Sequence, residues 1–107
     1  LEIEGFKILT ANRGDKGIEI AREFIPDLII CEIQMKEMDG YEVLRLVLGT
    51  SRTSAIPFIF CTTKCEKNDR LIALKQGADD YMVKPVTMEL LHKKAKKWIK
   101  TGSKRCN

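Results

Sequence analysis

The sequence is poor in what enzymes and membrane proteins are usually built from. It has one histidine, His92, in 107 residues, with no partner in sequence to make it a catalyst. There is no Gly-rich loop of the kind that cradles phosphates, and no hydrolase or oxidoreductase constellation, so enzymatic activity is not expected. No apolar run approaches about 18 residues, which excludes a membrane-spanning helix. The start, LEIEGFKIL, has no basic region followed by an apolar stretch, so no secretory signal is expected. Four cysteines are present, but Cys61 and Cys65 have no histidine nearby and no second pair follows, which argues against zinc. Cys31 and Cys61 end apolar runs, where a thiol packs as a small hydrophobe. Reduced thiols and a cytoplasmic location are the expectation.

What is present suits one domain over 1–107 with one core. Hydrophobic residues make up 44% and charged residues 32%, an ordinary globular balance. The net charge of +4 is unevenly placed. Residues 84–107 hold eight Lys and Arg and one Glu, whereas the first 83 residues hold eleven basic and fourteen acidic ones. The basicity therefore belongs to the C-terminal segment.

Short apolar runs alternate with helical patterns. FKILTA, Phe6 to Ala11, reads as a strand. A helix over Asp15 to Phe24, capped by Asp15, places Ile18, Ala21 and Ile25 at helical spacing and stops at Pro26. Leu28 to Ile33 reads as a buried strand. Asp39 caps a helix to about Leu48 with Val43, Leu44 and Val47 inward. Pro57 to Thr62 is a strand, and residues 67–76, with Leu71 and Leu74, are a helix stopped by Gly77. Asp80 to Val83 is a short strand, and Thr87 to about Lys100 the last helix. This β-α alternation implies right-handed crossovers and a parallel sheet covered on both faces.

Ligands of such sheets sit at the carboxyl ends of the strands. Those ends carry Glu32, Thr62 and Lys84: a carboxylate, a hydroxyl and an ammonium. The last two are donors able to hold a phosphoryl group.

PDLIICEIQMKEMDGYEVL resembles the core of bacterial response-regulator receiver domains, and IPFIFCTTK and GADDYMVKP follow at that family's usual separations. The resemblance covers nearly the whole chain. It implies a flavodoxin-like, doubly wound α/β fold with strand order 2-1-3-4-5, and a role in two-component signalling or a phosphorelay. It further implies a histidine kinase or phosphorelay protein as partner, a downstream effector, and an Asp phosphoacceptor served by Mg²⁺. Carried onto this chain, the acceptor position is Glu32 where the family has Asp. The phosphate-pocket residues are Thr62 and Lys84, the latter followed by Pro85 in a bond the family usually holds cis. The switch aromatic is Tyr81. Lys36 stands where the family commonly has Pro.

The largest departure is at the N-terminus. LEIEGFKILTAN matches the end of the family's first helix and its second strand, so residues 1–5 are expected to be a helix remnant. The first strand and its acidic pair have no counterpart in the sequence, and Mg²⁺ is expected only if such a pair exists upstream. With Glu in place of Asp and no acidic pair, phosphotransfer is not expected, because acyl phosphate chemistry needs in-line placement and a metal.

Plainer readings stand beside these. Glu32 could be a solvated strand-end carboxylate, Thr62 a strand-end hydroxyl, Lys84 and Pro85 loop residues, and Tyr81 a packed aromatic. Asp39 and Gly40 read as a helix start and its turn. If Glu32 does act, it either imitates part of the activated state or holds the inactive one. Leu90, Leu91, Ala95, Trp98 and Ile99 form an apolar stripe on the last helix, with Lys93, Lys94, Lys96, Lys97 and Lys100 around it and a basic tail over 101–107. That face is a solvated surface or, alternatively, a site for nucleic acid or an acidic partner. Three functions are thus open: a receiver-like module working through protein contacts without phosphorylation, a conventional receiver whose first strand lies elsewhere, and an anion-binding module. A sheet without its central strand would leave backbone groups unpaired or force the second and third strands together. A homodimer with Trp98 near the contact is expected on that ground.

Overall fold

A computed structural model describes residues 2–35 and 38–102; Lys36, Cys106 and most of the basic tail fall outside the described residues. The elements are β1 (Glu2–Ile3), β2 (Phe6–Ala11), α1 (Gly14–Phe24), β3 (Leu28–Cys31), α2 (Gly40–Gly49), β4 (Phe58–Thr62), α3 (Lys67–Gln76), β5 (Asp80–Val83) and α4 (Met88–Thr101). The sheet has five strands in the order β1-β2-β3-β4-β5, parallel throughout except for the antiparallel β1–β2 pair.

The N-terminus corrects the expectation. Residues 2–5 hold no helix remnant: Glu2 and Ile3 form a strand that pairs with Lys7 and Phe6. The turn between them, Glu4 and Gly5, has φ of 51° and 85°. Two consecutive positive φ angles give the tight hairpin turn whose twist matches the flanking strands. The central gap is also closed. β2 pairs directly with β3 in the register Ile8–Leu28 to Ala11–Cys31, so of the two expected outcomes it is the direct pairing of these strands that occurs.

β3 is buried at all four positions, as its uninterrupted apolar run requires of a central parallel strand. It stops at Cys31, two residues short of Ile33, which leaves Glu32 just beyond the ladder. Side chains alternate across the sheet. Ile29, Cys31, Phe58 and Phe60 face α1, α2 and α3, meeting Ile18, Ala21, Val43, Val47 and Ala73. Ile8, Leu28, Ile30, Ile59 and Met82 face α4 alone, meeting Ala95 and Trp98. One face thus carries three helices and the other a single helix.

Caps set most of the helix ends. Asp39 accepts from the Glu42 N–H at 2.9 Å and Thr87 from the Leu90 N–H at 3.1 Å, each satisfying an orphan first-turn donor. Gly77, at φ 117°, ends α3. Asp15 is not a cap: α1 begins at Gly14 with Arg13 in the cap place, and Asp15 holds Arg13 instead at 3.0 Å. Three apolar assignments also shift. Ile25 lies past α1 as its left-handed C-cap and is exposed. Leu71 is exposed and Ala73 is the buried residue of α3, and Leu90 lies at the edge of the α4 stripe.

Candidate functional site

Three strand ends meet at one corner of the sheet. Glu32 follows β3, Thr62 ends β4 and Lys84 follows β5. Gly40 makes this corner possible, since a Cβ there would strike the Glu32 carbonyl and lie 2.8 Å from the Phe60 ring. The Lys84 ammonium is 2.8 Å from Glu32 Oε2. The Ile33 N–H donates to Glu32 Oε1 at 3.0 Å. Glu32 is 19% exposed and Lys84 47%. Burial pushes the Glu32 carboxyl up, but hydrogen bonds from Lys84, Thr62 and the Ile33 N–H outweigh it and hold the group below its ordinary range. The hydrogen bond to Glu32 correspondingly raises Lys84. Lys84–Pro85 is cis.

Thr62 is fully buried, lies where its hydroxyl helps hold the Glu32 carboxyl down, and accepts from the Lys64 N–H at 3.3 Å. Tyr81 reaches the same loop residue from below, its hydroxyl donating to the Lys64 carbonyl at 2.8 Å. Burial pushes the Tyr81 phenol up to about 12, with Asp69 adding to the effect. The four residues singled out in sequence are therefore joined. Lys84 holds Glu32, Thr62 lies beside them, and Thr62 and Tyr81 grip Lys64 from its two backbone sides.

Each Glu32 oxygen accepts a hydrogen bond from a protein donor, and no cluster of three or more His, Cys, Asp or Glu that could hold a metal ion occurs among the described residues. The described cysteines are free thiols, and burial raises Cys31 to about 12 and Cys61 above its usual value, which leaves little reactive thiolate at either. No described helix is long and apolar enough to cross a membrane.

A second cluster was missed in the sequence. Asp80 is buried at the start of β5, yet accepts from the Trp98 indole N–H and the Lys94 ammonium, both at 2.8 Å. The Tyr81 N–H adds a bond at 2.8 Å, and Arg70 approaches to 3.8 Å. The signal was available: a carboxylate inside an apolar strand requires buried donors, and Lys94 and Trp98 stand four apart on one helix face. Trp98 is 3% exposed and packs with Ile8, Leu28, Ile30 and Met82 on the α4 face of the sheet.

A mostly parallel sheet with helices on both faces, and a carboxylate, hydroxyl and lysine converging at its carboxyl ends, is the flavodoxin-like α/β arrangement. Comparison with known proteins gives the family. The chain matches the response regulator receiver domain over residues 1–96 and belongs to that family. It is 39% identical over 93 residues to protein PilH of Pseudomonas aeruginosa, covering 87% of this chain and 77% of that one. It is 36% identical over 85 residues to the transcriptional regulatory protein CreB of Escherichia coli, covering 79% of this chain but 36% of CreB. The fold matches the receiver domain of a putative LuxO repressor protein from Vibrio parahaemolyticus with a TM-score of 0.80 at 21% identity, over 92% of this chain and 74% of that one. The chain is therefore a receiver domain of two-component signalling.

Proposed function

We propose that this receiver domain signals without being phosphorylated, presenting one fixed surface to a histidine kinase, a phosphorelay protein or a downstream effector in the cytoplasm. Glu32 stands in for the phosphoacceptor, Thr62 and Lys84 for the phosphate pocket, and Tyr81 for the switch aromatic. The observation that carries this is the 2.8 Å pair between Lys84 and Glu32. The ammonium that would meet a phosphoryl oxygen already meets a carboxylate, and Thr62 and Tyr81 are drawn onto Lys64 behind it. A phosphoryl group would bring about two charges and three acceptor oxygens. Glu32 brings one charge and two oxygens, enough to engage Lys84 and Thr62 together.

The basic last helix supports the anion-binding alternative less well. Lys94 is committed to Asp80, Lys96 to Glu4 at 2.8 Å, and Lys97 lies over the Trp98 ring at 4.8 Å. Amide NMR tests the proposal. Adding a small phosphodonor with Mg²⁺ should leave the Thr62, Lys64 and Tyr81 resonances unmoved, whereas Glu32→Ala should shift all three. Movement with the phosphodonor, or indifference to Glu32→Ala, would reject it.

A further inference from the structure

One edge of the sheet is bare. β1 covers only Phe6 and Lys7 of β2, and among the described residues no strand lies outside Ile8 to Ala11. Two hydrogen bonds fix the direction of the backbone there. The carbonyls of Lys7 and Ala11 accept from the Asp27 and Glu32 N–H groups at 2.8 and 3.3 Å, so the odd-numbered residues turn toward β3. Successive peptide groups of a strand point to opposite sides, and Ile8 and Thr10 therefore turn their N–H and C=O outward. An uncovered edge of this kind is a template for another strand, and proteins usually blunt it with proline, charge or a bulge. The stretch Ile8-Leu9-Thr10-Ala11 carries no proline, charge or bulge.

The surroundings suit an incoming strand with apolar neighbours. On the α1 face, hollows of about 280 and 340 Å³ run along the edge and share Leu9 and Ile20. Ile18 and Ala21 of α1 are buried, while Ile20 and Phe24 flank these hollows at 42% and 61% exposure. On the α4 face, a cleft of about 290 Å³ opens beside Thr10, between Ile30, Met82 and Leu91.

We propose that this edge pairs antiparallel with β2 of a second copy about a twofold axis at Thr10, joining two sheets into one. With the axis there, Thr10 faces Thr10, Leu9 faces Ala11 and Ile8 faces Asn12. All outward-facing groups then meet one another, as an antiparallel ladder requires. Moving the axis to Leu9 would drive the second strand into β1, which already lies beside Lys7. A twofold axis normal to the sheet sets the two α1 helices on the same face. Ile20 and Phe24 of each then fill the hollows of the other. The edge charges allow the approach. Lys7 lies across from Glu2 in the hairpin, and Arg13 is held by Asp15 at 3.0 Å. This self-matching apolar patch is what favours a second copy over an unrelated extended segment.

Sedimentation equilibrium of the whole chain is the test, with Thr10→Pro and Phe24→Asp. The Thr10 N–H is not used in the ladder to β3, so proline is tolerated there as on other edge strands. It removes both bonds of the central Thr10 pair and should weaken dimerisation by roughly 30-fold. Phe24→Asp should also give a monomer, and the circular dichroism of both variants should stay unchanged. In the wild type, exchange of the Thr10 amide should slow as concentration rises. A chain monomeric at every concentration overturns the proposal. So does a dimer that survives Thr10→Pro, or one in which Thr10 exchange ignores concentration. If Thr10→Pro fails to fold, Phe24→Asp and the wild-type exchange measurement decide together.

Discussion

Asp80→Asn is the most informative single substitution in the core, because it keeps the shape and removes the charge. Asp80 Oδ2 accepts from Trp98 Nε1 and Lys94 Nζ, and Oδ1 from the Tyr81 N–H. An amide offers one acceptor and one NH₂ group. With the NH₂ toward Trp98 and Lys94, it faces two donors. Flipped, it faces the Tyr81 N–H and the Arg70 guanidinium. Either way a buried donor is left unpaired. Lys94 is 24% exposed and can turn to solvent, so its share is partly recovered. The indole N–H is buried under α4 and has no such escape. A buried hydrogen bond to a charged group is worth about 1.5–3 kcal/mol. The substitution should therefore cost about 2–4 kcal/mol, a large part of the roughly 5–15 kcal/mol typical of a domain. Urea titration should show a lower midpoint at unchanged slope.

The pH dependence follows with its sign. Burial pushes the Asp80 carboxyl up, but Lys94, the Trp98 indole and the Tyr81 N–H outweigh it and hold it below the ordinary 3.8. A depressed carboxyl stabilises above its unfolded value and loses that contribution as pH falls through the native one. Wild type should lose stability on this acid limb, and Asp80→Asn should flatten it. A cost under about 0.5 kcal/mol, the range of an ordinary surface substitution, would refute the picture of a buried carboxylate tying β5 to α4.

Other outcomes are equally specific. Lys84→Ala should change urea stability by no more than about 1 kcal/mol, because the pair is half open to solvent on the lysine side, while still shifting the Lys64 amide in NMR. Gly40→Ala should destabilise by about 3 kcal/mol or more, since the Cβ meets backbone that cannot give; a fully folded variant with wild-type melting would count against the tight corner. Thr87→Ala should cost about 1 kcal/mol through loss of the cap on Leu90, measurable by thermal melting.

Strands with uninterrupted apolar runs were legible in the sequence, as were the helix capped at Asp39, the helix beginning near Thr87 and the stop at Gly77. Their signals are local: period, cap chemistry and a left-handed C-cap. Glu32, Thr62 and Lys84 were readable because strand ends of a parallel sheet converge whatever the details of packing. The hairpin at Glu2–Ile3 was not, since two residues carry no periodicity and Glu4 is a poor herald of a turn. Direct pairing of β2 with β3 was left open, because register between strands is a property of the assembled sheet. Ala73 was passed over for Leu71 because size suggests burial, whereas it is Ala73 that α3 turns into the core. Asp80, Lys94 and Trp98 are distant in sequence, and each looks ordinary until the fold brings them together.

Signalling without phosphorylation can be tested on the 107-residue chain directly. Intact-mass measurement after incubation with a small-molecule phosphodonor and Mg²⁺ should show the unmodified mass, and Glu32→Asp should not restore full modification, because the described residues bring no metal cluster beside that position. An adduct of one phosphoryl group on the wild-type chain, released by hydroxylamine as an acyl phosphate is, would contradict it.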